Sequence, residues 1–196
     1  MNPRLEAAAR AVGVTLDDGM RQRLATLGGW LTTEALAGGG VGPNEAAKIE
    51  ERHLVDSILF AAGWASAPPV CWDLGSGAGL PGLVLACIWP GTRLVLVDSS
   101  AKRCELARRG GRVVGVDVEV QQSRIEDLTG PYSAIVSRAT IPAARFGGIL
   151  KRLLAPGGVA VISGSSHGHP PGFERLQFPG EEFFDRTSRL LIMRSP

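Results

Sequence analysis

Apolar positions along the chain change their period near residue 70. Before it, Leu5, Ala8, Ala9 and Val12, then Leu24, Leu27, Trp30 and Leu31, recur at the three- and four-residue spacing of helices with one buried face. Gly13 and the Asp17-Asp18-Gly19 turn signal divide residues 4–35 into two short helices. The stretch Ala37-Gly38-Gly39-Gly40-Val41-Gly42-Pro43-Asn44 suits no regular element. A third helix is predicted over 45–64, with a linker over 66–69. From Val70 onward, apolar runs of strand length take over: Val70–Leu74, Arg93–Val97, Val116–Val120, Ser133–Val136 and Val159–Ile162. Helices are predicted between them over 80–89, 100–110 and 140–154.

Strands alternating with helices imply βαβ units, hence a parallel sheet with helices on both faces and right-handed crossovers. After a loop over 164–172, the strand candidates Phe173–Phe178 and Thr187–Arg194 leave no room for a crossover helix. They are expected as an antiparallel hairpin at the sheet edge, bringing the count to seven. The expected architecture is α/β: a doubly wound, mostly parallel seven-stranded sheet over 66–196, preceded by a short helical extension over 1–65.

Composition narrows the function classes. A chain of 196 residues fits one domain. Its 26 glycines are about 13%, against a usual ~7%. They must serve turns, loops or close approach to a ligand. With 21 basic and 19 acidic residues, the net charge of +2 does not by itself indicate a nucleic-acid or membrane partner. Cys71, Cys87 and Cys104, without a C-x-x-C, speak against a disulfide framework or zinc cluster and for a reducing cytosol. His167 and His169 have no third ligand nearby, so no metal site is expected. No run of ~18 apolar residues suggests a membrane span, and Met1–Glu6 lacks the apolar core of a signal peptide.

The candidate chemistry concentrates in Asp73-Leu74-Gly75-Ser76-Gly77-Ala78-Gly79-Leu80-Pro81-Gly82, between a predicted strand and a predicted helix, where doubly wound sheets bind ligands. Glycines permit the tight turn and close approach, and the following helix start supplies free N–H groups. Residues 77–82 match G-x-G-x-x-G, so a dinucleotide and S-adenosylmethionine both compete. The longer D-x-G-x-G-x-G pattern favours the latter, with Asp73 placed to hold an ammonium group. Asp98, at the end of the next strand, can accept from both ribose hydroxyls of either cofactor. Past the third strand, in Ser123-Arg124-Ile125-Glu126-Asp127, Ile125 is placed to pack on an adenine ring and Glu126 to read its polar edge.

Four blocks follow one another along the chain: Arg52-His53-Leu54-Val55-Asp56-Ser57; the loop ending Gly79-Leu80-Pro81-Gly82; Asp98-Ser99 with Lys102-Arg103; and Ser137-Arg138-Ala139. With them, residues 20–165 resemble the glucose-inhibited division protein B family. The resemblance implies a Rossmann-like, class I methyltransferase fold. It also implies a cytoplasmic enzyme that transfers a methyl group from S-adenosyl-L-methionine to N7 of a guanine in small-subunit (16S) ribosomal RNA. Cofactor contacts follow at Gly75, Leu80, Ile125, Glu126 and Arg138, to which the loop reading adds Asp73, Ser76, Gly77, Gly79, Asp98 and Ser99. His53, Lys102, Arg103 and Arg124 are the candidates for contact with RNA or the ribosomal particle, and no oligomer is required.

Guanine N7 carries a lone pair and no proton, so no general base is needed. Arg138 is therefore the candidate catalytic residue through positioning. The fourth strand ends without the Asn/Asp-Pro-Pro-aromatic motif of exocyclic-amine methylation, and no cysteine follows Cys104 to serve carbon-5 pyrimidine chemistry. Two places depart from the family pattern. Leu31-Thr32-Thr33-Glu34 and a glycine-rich loop follow Trp30 in place of Asn-Leu-Thr, and Ser163-Gly164 stands in place of Lys-Gly. The alternatives are a methyltransferase on another RNA or small molecule, a catalytically inactive RNA- or ribosome-binding homologue, and an NAD-binding oxidoreductase.

Overall fold

The computed structural model describes residues 2–40, 42, 49–138, 142–164, 170–176, 178 and 190–196. Two side-chain caps start the chain's first helices. Asn2 accepts the Arg4 N–H at 3.0 Å and opens α1 (Pro3–Ala11); Asp17 accepts the Met20 N–H at 2.7 Å and opens α2 (Asp18–Trp30). A π-helical turn, Leu31–Ala35, continues α2. The helix expected over 45–64 is divided. A π-helical segment Ile49–Leu54 leads into α3 (Val55–Leu59), and a 3-10 turn over Phe60–Gly63 ends it, while residues 43–48 lie outside the described residues. The final turn presses on the sheet: a Cβ at Gly63 would stand 2.5 Å from Val161 Cγ2.

The remaining elements alternate: β1 (Val70–Leu74), α4 (Gly82–Ile88), β2 (Arg93–Asp98), α5 (Ala101–Val114), β3 (Val118–Gln122), β4 (Tyr132–Ser137), α6 (Ala143–Leu153), β5 (Leu154–Ser163), β6 (Glu174–Arg175) and β7 (Leu190–Arg194). They form one seven-stranded sheet in the order β3-β2-β1-β4-β5-β7-β6. The pairs from β3 to β5 are parallel, and β7 runs antiparallel to both β5 and β6. Strand order thus reverses at β1, with β2 on one side and β4 on the other. The register sets Leu74 beside Val97 and Asp73 beside Val136, so the carboxyl ends of these three strands are level.

Element ends move where glycine and packing decide. α5 extends to Val114 through Gly110-Gly111, because a Cβ at Gly110 would meet Leu83 Cδ1 at 2.8 Å and the Trp30 ring at 3.0 Å. These glycines let α2, α4 and α5 approach closely. Gly115 then closes the helix at φ +73°, which delays β3 from the expected Val116 to Val118. Among the described residues of the expected run Phe173–Phe178, β6 comprises Glu174–Arg175, whereas β5 starts earlier than expected, at Leu154.

Helices cover both faces of the sheet, unevenly. One core cluster joins α1 to α4 with residues such as Leu94, Leu96, Val136 and Val161 of the sheet. The other lies under α6, where Phe146, Leu150 and Leu153 meet Val95, Val97 and Ile135. Between β3 and β4 the chain has only a 3-10 turn, Ile125–Asp127. Arg152, from the end of α6, donates to the carbonyls of Leu128 and Glu126 and satisfies this connection without a helix. Phe146, 1% exposed, anchors α6 on that thinly covered face. Phe146→Ala should therefore cost about 3–5 kcal/mol of stability, read as a lower urea midpoint with an unchanged slope.

Candidate functional site

The loop after β1 hangs from β2. Val97 O accepts from Gly75 N–H at 2.8 Å and from Ser76 N–H at 2.9 Å, and Ser76 O accepts from Gly79 and Leu80 N–H, each at 2.9 Å. Gly75 and Gly77, at φ +73° and +59°, make the turn that backbone with side chains rarely adopts. A Cβ at Gly77 would meet nothing within 4 Å, so this face of the loop opens onto free space.

Asp98 closes the loop from the other side. Its Oδ2 accepts the Gly77 N–H at 3.0 Å and its Oδ1 accepts the Ser100 N–H at 2.9 Å. Both oxygens are thereby oriented, and each retains capacity for a further donor. Arg103 Nη1 stands 3.9 Å away.

A cavity of about 580 Å³ lies over these groups at the carboxyl ends of the strands. This is within the range of small-molecule and cofactor sites. Of the expected cofactor residues, Gly75, Ser76, Gly77, Leu80, Asp98 and Ser99 line it from one side, and Ile125, Glu126 and Arg138 from the others. Arg103 and Arg124 complete the wall. Ile125, 7% exposed, supplies an apolar surface. The Ser76 hydroxyl oxygen is buried without a hydrogen-bond partner, a feature that a bound polar ligand would answer.

Four expected residues stand elsewhere. Gly79 turns toward α4, where a Cβ would meet Leu83 Cδ1 at 2.5 Å. Lys102 lies on the outer face of α5. His53 is half-buried on the π-helical segment, with Asp56 exposed one turn later, and neither lines the cavity. Asp73, expected to hold an ammonium group, is fully buried beneath the loop, where its Oδ2 accepts the Gly82 N–H at 2.7 Å. Ala139, His167 and His169 lie outside the described residues.

Gly40 is a wall residue that strand and loop motifs did not reveal. A Cβ at Gly40 would stand 2.7 Å from Ala78 Cβ, and one at Gly38 would stand 2.8 Å from Leu106 Cδ2. The glycine run thus lets the N-terminal segment lie directly on the cofactor loop and α5. The run itself was the available signal.

Burial pushes the Asp73 carboxyl up to about 7, against the opposing pull of the Gly82 N–H and the Arg138 charge. Burial likewise raises the thiols of Cys71 and Cys87, and all three cysteines are free and buried.

These features define a class: a Rossmann-like α/β protein of the class I methyltransferase type, with a nucleoside-sized cavity at the point where strand order reverses. Residues 30–168 match the family model described as rRNA small subunit methyltransferase G (GidB), and the chain belongs to that family. A relative named ribosomal RNA small subunit methyltransferase G from Leptothrix cholodnii is 31% identical over 97% of this chain and 94% of its own length. One of the same name from Acidothermus cellulolyticus is 36% identical over 66% of this chain and 59% of its own. Against the first three curated relatives, the match spans 51–59% of their lengths. The solved structure of a point mutant of MtNAS in complex with S-adenosylmethionine superposes with a TM-score of 0.59 over 91% of this chain and 74% of that one. At 18% identity, that likeness is one of fold.

The Asp73 carboxyl sets a pH dependence. In the unfolded chain it titrates near 3.8; folded, near 7. Between those values the folded state holds a proton that the unfolded state has released, so stability falls as pH rises through the window and levels off above it. Asp73→Asn keeps an acceptor for the Gly82 N–H and removes the titration. Urea unfolding from about pH 4 to pH 8 should show wild type losing stability relative to the variant up to about pH 7, with a constant difference beyond.

Proposed function

We propose that this chain transfers a methyl group from S-adenosylmethionine to N7 of a guanine in small-subunit ribosomal RNA. The observation that carries the reading is the Asp98 carboxylate. Both of its oxygens are fixed by loop N–H groups at the floor of a cavity whose far wall is Ile125 and Glu126. That donor and acceptor set fits a nucleoside: ribose hydroxyls on Asp98, an adenine face on Ile125, its polar edge toward Glu126. Family membership supplies the reaction class and the RNA.

The chemistry the cofactor supplies when bound is an electrophilic methyl group on a sulfonium. This chain's contribution is placement. The glycine loop and Asp98 hold the nucleoside half, and Arg138 enters the cavity wall from the end of β4. Holding acceptor and donor in line can supply ~7–11 kcal/mol without proton transfer. The guanine gains positive charge as its N7 bond forms, so a guanidinium aimed at N7 would oppose the reaction. Arg138 therefore acts on a carboxylate, a phosphate or the guanine O6 edge. No helix among the described residues is long and apolar enough to cross a membrane. The proposed setting is the cytoplasm, with small-subunit RNA or its particle as partner and every wall of the cavity drawn from one chain.

The test supplies methyl-labelled S-adenosylmethionine to small ribosomal subunits from a strain lacking this protein. Label should enter RNA at a guanine that then becomes cleavable by borohydride and aniline. Label in protein or small molecules, with none in RNA, would refute the activity. Cofactor calorimetry separates a nicotinamide site, since binding of NAD but not S-adenosylmethionine ends the reading.

Two substitutions check the assigned residues. Gly77→Arg projects a side chain into the open cavity from a backbone at φ +59° and should reduce cofactor affinity at least ~100-fold, about 2.7 kcal/mol, by calorimetry. Arg138→Ala should lower turnover ~10–100-fold while urea unfolding stays cooperative; unchanged turnover removes Arg138 from the site.

A further inference from the structure

The cavity explains where a cofactor and one base would lie, but not why basic residues accumulate beside it. α5 carries Lys102, Arg103, Arg108, Arg109 and Arg112 within eleven residues of a chain whose net charge is only +2. Asp98 stands 3.9 Å from Arg103 at the cavity end, and two further carboxylates lie along the helix. Glu105 reaches Arg108 at 3.7 Å and Arg112 at 3.1 Å, and Glu34 reaches Arg109 at 2.6 Å. These pairs are roughly half exposed, so water competes with them and each contributes little. Among the described residues Lys102 and Arg124 form no ion pair.

These charges have a direction. Arg103 and Arg124 line the cavity, and Lys102 stands beside them in the first turn of α5. From Lys102 a shallow depression follows the outer face of the helix past Glu105, Leu106, Arg109, Arg112 and Val113. Ten residues separate Lys102 from Arg112, about 15 Å along the helix axis. Val113, 44% exposed, is the one exposed large hydrophobic side chain among the described residues. Gly38 and Gly40 lie on Leu106 along the same edge, without side chains to obstruct it.

We infer that this face of α5 is a docking track for the sugar-phosphate backbone of the substrate RNA, running from the cavity mouth to Arg112. The inference rests on the proposed RNA methylation and adds the path of the strand outside the cavity. Exchanging a half-exposed carboxylate for a phosphate costs little, so Arg109 and Arg112 can serve both. Leu106 and Val113 give the ribose faces an apolar bed between charges. Contacts of this kind position the RNA without reading its bases. The occupant is RNA rather than an acidic protein surface because the track continues directly into the cavity where the acceptor base must enter.

The test measures binding of a small-subunit RNA fragment over a series of KCl concentrations. It compares wild type, Lys102→Glu, Arg112→Glu, the milder Lys102→Gln and Arg112→Gln, and an Arg10→Glu control on the exposed end of α1. Each track variant should weaken RNA binding and reduce the slope of log affinity against log salt by about one, with S-adenosylmethionine affinity unchanged. Arg10→Glu should behave as wild type. Slopes and affinities unmoved by all four track variants overturn the track while leaving the methylation reading intact. Weakened binding to assembled particles with unchanged binding to free RNA also overturns it, in favour of a protein contact. Wild type that binds neither the RNA fragment nor assembled small subunits overturns the track and the methylation reading together, and wild type that binds only the subunits, with the four track variants binding them equally well, overturns the track alone.

Discussion

Asp73 sits fully buried at the end of the central strand, with its Oδ2 on the Gly82 N–H at 2.7 Å. That single bond spans the cofactor loop from its root to the start of α4. It fixes how far the chain can rise before it must return. An unpaired carboxylate in this position would be costly, and protonation near neutrality eases the cost. Gly82 is required for the same reason, because a Cβ there would stand 2.8 Å from Asp73 Oδ2 and 2.3 Å from Leu96 Cδ2. The bonds to Val97 O and Asp98 then orient the loop laterally, so its shape is held from below and from the side before any ligand arrives.

The sheet gives this loop a firm base on one face and a light cover on the other. Helices α1 to α4 share a core with the face that carries Leu94 and Leu96, whereas α6 alone among the described helices covers Val95 and Ile135. The short link from β3 to β4 is the consequence. It passes through the 3-10 turn Ile125–Asp127 at the cavity rim, and Arg152 bonds its carbonyls. Ile125 can face the cavity because no helix draws it away.

Much of this was legible in the chain. The change from helical to strand spacing at Val70 revealed the alternating elements, and the motif order placed Asp98, Ile125, Glu126 and Arg138 around one site. Boundaries were less legible where a distant contact decides them. Gly110-Gly111 reads as a helix end, yet Leu83 and Trp30 make those glycines part of a longer helix. Asp73 reads as a site residue by its position at a strand end. The pleat turns it with Cys71 to the face under α4, opposite Trp72 and Leu74. Gly40 joins the cavity from more than thirty residues upstream of the loop, and no spacing rule connects the two.

The two sides of the site are built from different interactions. The cofactor side rests on backbone bonds and buried carboxylates, which hold one geometry. The proposed RNA side rests on exposed guanidinium groups paired with half-exposed carboxylates and on a glycine run that lies flat against α5. Surface pairs of this kind are worth ~0–1 kcal/mol, so they can be exchanged for phosphates without disturbing the loop below. Gly38 and Gly40 hold their segment on α5 and the loop by lacking side chains, since a Cβ there would stand 2.8 Å from Leu106 Cδ2 or 2.7 Å from Ala78 Cβ, whereas a side chain at Gly77 or Gly82 would enter the cavity or the core.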